Sequence, residues 1–181
     1  MHVVIVGPMG VGKSTIGREV AARLDRPLRD SDDDLSAARG ISGRELTARE
    51  GIGALHRWEA DHLLAALSDD EPAVIAAAAS VVDDPRVRAA LDEPFVVWLR
   101  APTELLVARV LESDHRPDLG PDPAATIARI VEARTERYAE VADLAVDAAD
   151  VDPVQVGLAV VEALPVGRRL PGPAGPDSVP S

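Results

Sequence analysis

The hydrophobic positions of the chain alternate between short continuous runs and stripes with helical spacing. The first run extends from His2 to Val6, and a continuous apolar run of this length is typical of a buried parallel strand. Beyond it, Ile16, Val20 and Leu24 recur at intervals of four residues, which predicts an amphipathic helix. The chain is therefore expected to begin with a strand that leads into a helix.

The same alternation continues as far as Leu164. Ser42, with Glu45 three residues later, gives a capping-box signal for the start of a helix. We predict further strands at Pro27–Asp30, Ala73–Ala77, Phe95–Leu99 and Leu144–Val146, and further helices at Ala54–Leu67, Pro85–Leu91, Thr103–Leu111, Pro123–Glu140 and Pro153–Leu164. Strands that alternate with helices imply a parallel sheet with helices on both faces.

Two segments lack this periodicity. Glu112–Pro123 is polar and rich in turn-forming residues, and we predict a mobile loop between two helices there. Residues 165–181 are rich in proline and glycine, and we predict that they form a disordered tail. The chain is thus expected to consist of one folded domain over residues 1–164 and a C-terminal extension.

The amino-acid composition limits where in the cell the protein is expected to act and what it is expected to bind. The 181 residues carry a formal net charge of −12, which disfavours a nucleic acid as partner because like charges repel. There is no cysteine, which excludes disulfides and cysteine nucleophiles and fits a reducing cytoplasm. The N-terminus lacks a signal-peptide pattern, and the apolar run Ala73–Val82 has about half the ~20 residues that span a bilayer. We therefore expect a cytoplasmic protein that binds neither a membrane nor a nucleic acid.

The stretch GPMGVGKST, Gly7 to Thr15, matches the phosphate-binding pattern G-x-x-x-x-G-K-[ST]. In such a loop the lysine bridges the β- and γ-phosphates and the serine hydroxyl ligates Mg²⁺. A glycine-rich turn that matches by chance is the alternative, but the strand before the loop and the helix after it disfavour that interpretation. We therefore predict a nucleoside triphosphate site built by Gly10, Val11, Gly12, Lys13, Ser14 and Thr15.

Acidic residues follow the second predicted strand in the stretch RDSDDDL. Ligands of open parallel sheets bind at the carboxyl ends of the strands, so these acids are expected to face the phosphate loop. Asp30 and Asp32 lie on the same side of an extended strand, so one could assist Mg²⁺ while the other holds or deprotonates an acceptor hydroxyl. For Asp33 and Asp34 we favour a solvated, acidic helix start.

Taken in order with four further stretches, these motifs resemble those of shikimate kinases. The further stretches are G…HRWE from Gly51 to Glu59, DDPRVRAAL after the alanine-rich strand, RP at Arg116–Pro117, and ARTERY at Ala133–Tyr138. The resemblance extends from His2 to about Leu164. It implies a P-loop α/β fold, a three-layer sandwich with five parallel strands in the order 2-3-1-4-5. It also implies ATP- and Mg²⁺-dependent phosphoryl transfer to a ring hydroxyl of shikimate, in aromatic amino acid biosynthesis, and we expect a monomer.

The resemblance further implies roles for individual residues around the phosphates. Lys13, Asp32 and Arg116 would be catalytic, with Asp32 binding the acceptor hydroxyls. Arg116 would be carried by a loop that closes over ATP and would neutralise the phosphoryl group in transfer. Ser14 and Asp30 would hold Mg²⁺. A solvated loop arginine is the alternative for Arg116.

Three more residues would bind the remote ends of the two substrates. Arg134 would hold the acceptor carboxylate, for which a guanidinium fork is suited, although an ion pair with Glu132 or Glu136 is equally compatible with the spacing. Arg109 would stack on adenine beside Pro153, with a solvated helix arginine as the alternative.

Two departures from the family pattern fall in the acceptor site. The family has an arginine at the position of His56, where it grips the acceptor carboxylate together with Arg134, and glycines at Ala78, Ala79 and Ser80. Side chains there would narrow the pocket floor, and they would be strained if these positions need a positive φ. We therefore expect weak binding of shikimate. The alternatives are a kinase for another hydroxylated acid or a cyclitol, or a non-catalytic nucleotide-binding regulatory protein.

Overall fold

The computed structural model describes residues 1–112, 119–149 and 151–165. The central part of the predicted mobile loop, including Arg116, lies outside the described residues, as does the tail beyond Pro165. The predictions for both segments therefore stay predictions.

The described residues form parallel strands that alternate with helices. The strands are β1 Val3–Val6, β2 Leu28–Asp30, β3 Val74–Ala76, β4 Phe95–Arg100 and β5 Leu144–Asp147. The helices are α1 Lys13–Leu24, α2 Ser31–Arg39, α3 Gly43–Glu50, α4 Ile52–Leu67, α5 Pro85–Ala90, α6 Thr103–Glu112, α7 Pro123–Val141 and α8 Pro153–Ala163, and a short 3₁₀ turn spans Val81–Asp83.

The sheet has five strands in the order β2-β3-β1-β4-β5, all parallel, as predicted. The pairing register aligns Asp30 of β2 with Ala76 of β3, and Ala76 with Ile5 of β1. The segments that follow these three strands therefore leave the sheet at the carboxyl ends of the strands, close to each other. They carry the phosphate loop, the acidic stretch and the alanine-rich stretch.

Helices cover the sheet on both faces, which explains the continuous apolar runs. Successive side chains of a strand point to opposite faces, so Val4 and Val6 pack against α4, α5 and α7, whereas Val3 and Ile5 pack against α1, α6 and α8. All four of these β1 residues are completely buried. No helix within the described ranges is long and apolar enough to cross a membrane.

Helix α2 is an element that neither the apolar pattern nor a capping signal predicted. Leu35 is the one large apolar side chain it buries, so the segment has almost no hydrophobic stripe. Its ends are fixed locally instead. The Asp30 side chain accepts a hydrogen bond from the Asp32 backbone N–H at the start, and Gly40 adopts the left-handed conformation at the end.

Candidate active site

The phosphate loop needs its glycines for both space and backbone conformation. Gly7, Gly10 and Gly12 have φ angles of 146°, 79° and 102°, in the region that L side chains rarely adopt. A Cβ on Gly7 would lie 2.6 Å from the carbonyl oxygen of Leu99. No side chain caps the first turn of α1, which begins at Lys13, within the phosphate-binding motif. Its N–H groups and its dipole therefore suit an anion.

Lys13 extends across this loop. Its Nζ donates to the carbonyl oxygens of Gly7 and Pro8, at 3.0 and 3.1 Å. Burial lowers the pKa of Lys13 to about 8, against the opposing charges of Asp32 and Asp30. The ammonium is thus mostly protonated at neutral pH and shares one electrostatic environment with the two predicted acids.

Asp30 combines a structural role with a free coordination position. One carboxylate oxygen, Oδ1, accepts from the Asp32 N–H at 3.1 Å, while Oδ2 is buried and has no hydrogen-bond partner among the described residues. A buried, unsatisfied carboxylate oxygen is a suitable ligand for a hard divalent cation, as is the hydroxyl of Ser14. Within the described ranges no three His, Cys, Asp or Glu side chains cluster as a metal site. These residues therefore fit Mg²⁺, which uses one or two protein ligands together with substrate phosphates.

A buried glutamate lies between the phosphate loop and the alanine-rich stretch. Glu59 of α4 is 8% exposed and accepts a hydrogen bond from the Ser80 hydroxyl. Burial raises the pKa of Glu59 to about 7, and the charge of Asp32 adds to the increase. The hydroxyl that distinguishes Ser80 from a glycine is therefore engaged with Glu59. Sequence reasoning missed Glu59, although it occupies the helical position between Leu55 and Leu63 where an apolar residue is expected.

The predicted strain of the pocket floor is absent. Asp25 is the one non-glycine residue with a positive φ in the described part of the chain, so Ala78, Ala79 and Ser80 all have ordinary backbone conformations. The hydroxyl of Tyr138 on α7 donates to the Ala79 carbonyl oxygen at 2.7 Å and fixes the floor in place. Strain was expected only if these positions needed a positive φ, and that condition is not met. The prediction that their Cβ atoms narrow the pocket floor is unaffected by this finding.

Arg134 forms an ion pair that spacing did not predict. Its Nε and Nη2 both donate to Asp83 Oδ2, at 2.9 and 2.7 Å, so the partner is neither Glu132 nor Glu136. Burial alone would raise the pKa of Asp83, but its hydrogen bonds and charge interactions with Arg134 and Arg137 outweigh this and lower it. Asp83 is therefore ionised at neutral pH. It binds the guanidinium group that was expected to bind the carboxylate of the acceptor.

His56 lies close to this ion pair. It is half-buried, and burial lowers its pKa, with a further decrease from the charge of Arg134 and an opposing effect from Asp83. The imidazole is therefore mostly neutral at neutral pH. It offers an acceptor carboxylate less charge than an arginine at this position would.

Arg109 and Pro153 lie on the other side of the phosphate loop. Arg109 of α6 donates to the carbonyl oxygens of Gly10, at 3.4 Å, and Ala149, at 3.1 Å. It thereby links the loop to the segment before α8, where Pro153 is the exposed first residue. Their contacts with adenine stay a prediction.

A sequence model of shikimate kinases matches residues 9–165, which includes most of the phosphate loop and every other predicted site residue. The chain belongs to the shikimate kinase family. Membership means that it is a small-molecule kinase that uses ATP and Mg²⁺, in agreement with the loop and with the free oxygen of Asp30.

Individual relatives agree over nearly the whole domain. The chain is 40% identical over 164 residues to a shikimate kinase of Paramagnetospirillum magneticum, with 90% of this chain and 83% of that protein covered. It is 35% identical over 162 residues to a shikimate kinase of Streptomyces coelicolor, with 90% and 94% covered. The fold resembles that of a shikimate kinase from Acinetobacter baumannii in complex with shikimate, with a TM-score of 0.83, 24% identity and coverage of 89% and 90%.

In this member of the shikimate kinase family, most of the predicted residues lie at one end of the sheet. Charge interactions connect Lys13 with Asp30, Asp32, Glu59 and Arg134. Arg116 lies outside the described residues, so its position relative to this group is a prediction. Sequence reasoning also missed the role of Asp83, the first residue of the stretch DDPRVRAAL, because it reaches Arg134 from a distant part of the chain.

Proposed function

We propose that the chain transfers the γ-phosphoryl group of ATP to a hydroxyl of shikimate. The observation that carries the proposal is a family match over residues 9–165, within which the Lys13 ammonium interacts with the carboxylates of Asp30 and Asp32. This combination supports catalysis by an intact phosphoryl-transfer site rather than nucleotide binding alone.

The chemistry follows from the charges. In phosphoryl transfer a protein acts mainly by positioning the reactants and by stabilising charge on the transferring group. Lys13 would lie against the β- and γ-phosphates, and the N–H groups at the start of α1 would bind the remaining oxygens. Asp30 and Ser14 would hold Mg²⁺, which supplies further positive charge when it is bound.

Two residues would act on the reacting groups directly. Asp32 would accept a hydrogen bond from the acceptor hydroxyl and take up its proton as the bond to phosphorus forms. Arg116 would approach the transferring phosphoryl group from the loop and stabilise its negative charge. Arg134 would orient shikimate through its carboxylate, and Arg109 with Pro153 would flank the base.

A second acceptor class is supported by the altered carboxylate site. His56 is mostly neutral, and Arg134 is already paired with Asp83, so less positive charge is available for an acid than the family pattern provides. A neutral hydroxylated compound such as a cyclitol is therefore the second candidate.

A coupled assay of ADP release tests both candidates with the same enzyme. We expect ADP formation that depends on the acceptor, saturates with shikimate and requires Mg²⁺. ADP release with a cyclitol and none with shikimate would replace the first candidate by the second. ADP release that no acceptor accelerates would contradict both.

We also propose that the protein acts in the cytoplasm and as a monomer. Size-exclusion chromatography with light scattering checks the oligomeric state.

A further inference from the structure

Arg134 binds the carboxylate of Asp83 in the way expected for the carboxylate of an acceptor. Two of its N–H groups converge on a single oxygen, Asp83 Oδ2, and its side chain is 12% exposed. The other oxygen of the same carboxylate, Oδ1, accepts from Arg137 Nη1 at 2.5 Å. Asp83 is thus held by two arginines that lie one helical turn apart on α7. A carboxylate bound in this way is positioned as a bound ligand would be.

The geometry of a guanidinium group makes Asp83 and an acceptor carboxylate compete for Arg134. Its donors lie in one plane, and the edge formed by Nε and Nη2 is one of the edges with which arginine grips carboxylates. Here Asp83 occupies that edge. An acceptor carboxylate that approaches must displace Asp83, or use the remaining donors while it stays close to another negative charge. Arg137 keeps Asp83 nearby in either case, so the repulsion is not removed by a rotation of the Arg134 side chain alone.

We propose that Asp83 is a specificity-determining residue of the acceptor site, an internal carboxylate that competes with acidic acceptors for Arg134. The inference rests on the proposed function, since it assumes that the acceptor binds beside Arg134. Its consequence is a substrate preference. Acidic acceptors lose affinity because of Asp83, whereas hydroxylated acceptors without a negative charge lose none.

The rival explanation is that Asp83 positions Arg134 for the acceptor. In that case, removal of the Asp83 charge would weaken the binding of an acid. The two explanations therefore predict opposite changes in the KM for shikimate. They also differ for an uncharged analogue, because competition acts on the acid alone.

The test compares shikimate with its primary amide in the wild-type enzyme and in Asp83→Asn, which keeps the size of the side chain but removes its charge. We expect the KM for shikimate to fall by about tenfold or more, since one charged interaction at Arg134 is released. The KM values for the amide and for ATP should change by less than about twofold, because neither compound competes with a carboxylate at Arg134. Asp83→Ser is the second variant if the asparagine variant does not fold.

Asp84→Asn is the matched control. Asp84 is the next residue, pairs with Arg86 and caps α5, so this variant makes the same change in net charge without touching Arg134. Asparagine also caps helices well. We expect no decrease in the KM for shikimate. An equal decrease in the control would mean that net charge explains the effect, and it would overturn the proposal.

Other outcomes distinguish this inference from the proposed function. An unchanged or raised KM for shikimate in Asp83→Asn would overturn the inference and leave the proposed function standing. If no variant phosphorylates shikimate, calorimetric binding of shikimate in the presence of ADP and Mg²⁺ decides. Tighter binding to Asp83→Asn would support competition while the proposed function fails. Equal binding, or none to either protein, would overturn the inference.

Discussion

The buried carboxyl group of Glu59 should make the stability of the protein depend on pH in a direction opposite to that of most carboxylates. Burial raises the pKa of Glu59 from an ordinary value of 4.5 to about 7. Between these two values the folded protein keeps a proton that the unfolded chain has lost. The free energy of unfolding therefore decreases as the pH rises through this range, and the contribution becomes constant above about pH 7.

The size of the effect follows from the same two values. They differ by 2.5 pH units, and each unit is equivalent to about 1.4 kcal/mol, so full ionisation of Glu59 should cost about 3 kcal/mol of stability. The Ser80 hydroxyl donates a hydrogen bond to a carboxyl oxygen of Glu59. Replacement by glutamine keeps an acceptor for this hydroxyl and removes the charge. Glu59→Gln should therefore lose the pH dependence and be more stable than the wild-type protein above about pH 7.

Urea unfolding of both proteins between about pH 5 and about pH 8, without nucleotide or Mg²⁺, measures the difference. Subtracting the two curves removes the contributions of other groups that titrate in this range, such as His56, whose pKa is lowered by burial. Glu136→Gln is the control because it removes an exposed glutamate from α7. Parallel curves for the wild-type protein and Glu59→Gln, or a wild-type stability that rises over this range relative to the variant, would mean that Glu59 does not retain a proton in the folded protein.

Three further predictions concern transfer itself. Lys13→Ala should lower kcat by orders of magnitude with an unchanged circular dichroism spectrum, because transfer depends on charge stabilisation; near wild-type turnover would remove Lys13 from the mechanism. Asp30→Asn should raise the Mg²⁺ concentration needed for half-maximal rate, since the oxygen without a hydrogen bond loses its charge, and an unchanged requirement would contradict the assignment. Arg116→Ala should lower kcat and leave the KM for ATP nearly unchanged, and a selective loss of ATP affinity would argue against its role in transfer.

Most of the fold could be predicted from the sequence because burial imposes its own periodicity. Val3–Val6 is apolar throughout since helices cover both of its faces, and the helix-spaced stripes mark the covering elements. Helix α2 could not be predicted in this way, because it is formed by a cap at Asp30 and by Gly40 rather than by a hydrophobic stripe. The strand order itself came from the family resemblance, since local periodicity does not encode which strands pair.

Of the candidate site, the part formed by one contiguous motif could be predicted, whereas contacts between distant residues could not. The phosphate loop is a contiguous motif, and the glycines that adopt positive φ angles are visible in the sequence. The partner of Arg134 was not visible, because Asp83 lies 51 residues away and the contact depends on the packing of α7 against the 3₁₀ turn. Ser80 was recognised as unusual, but its contact with Glu59 depends on how α4 packs against the 3₁₀ turn that follows Ser80. Pairs between distant elements are determined by tertiary structure, and spacing along the chain does not reveal them.

We propose that this chain moves a phosphoryl group from ATP to shikimate at the loop that contains Lys13. The most direct measurement uses ATP labelled in its γ-phosphoryl group, with Mg²⁺ and shikimate, and identifies the labelled product by mass spectrometry. We expect labelled phosphoshikimate from the wild-type protein and none from Lys13→Ala. Label that stays in ATP or is released only as inorganic phosphate would mean that the chain does not phosphorylate shikimate, and equal product from both proteins would mean that Lys13 does not act in the transfer.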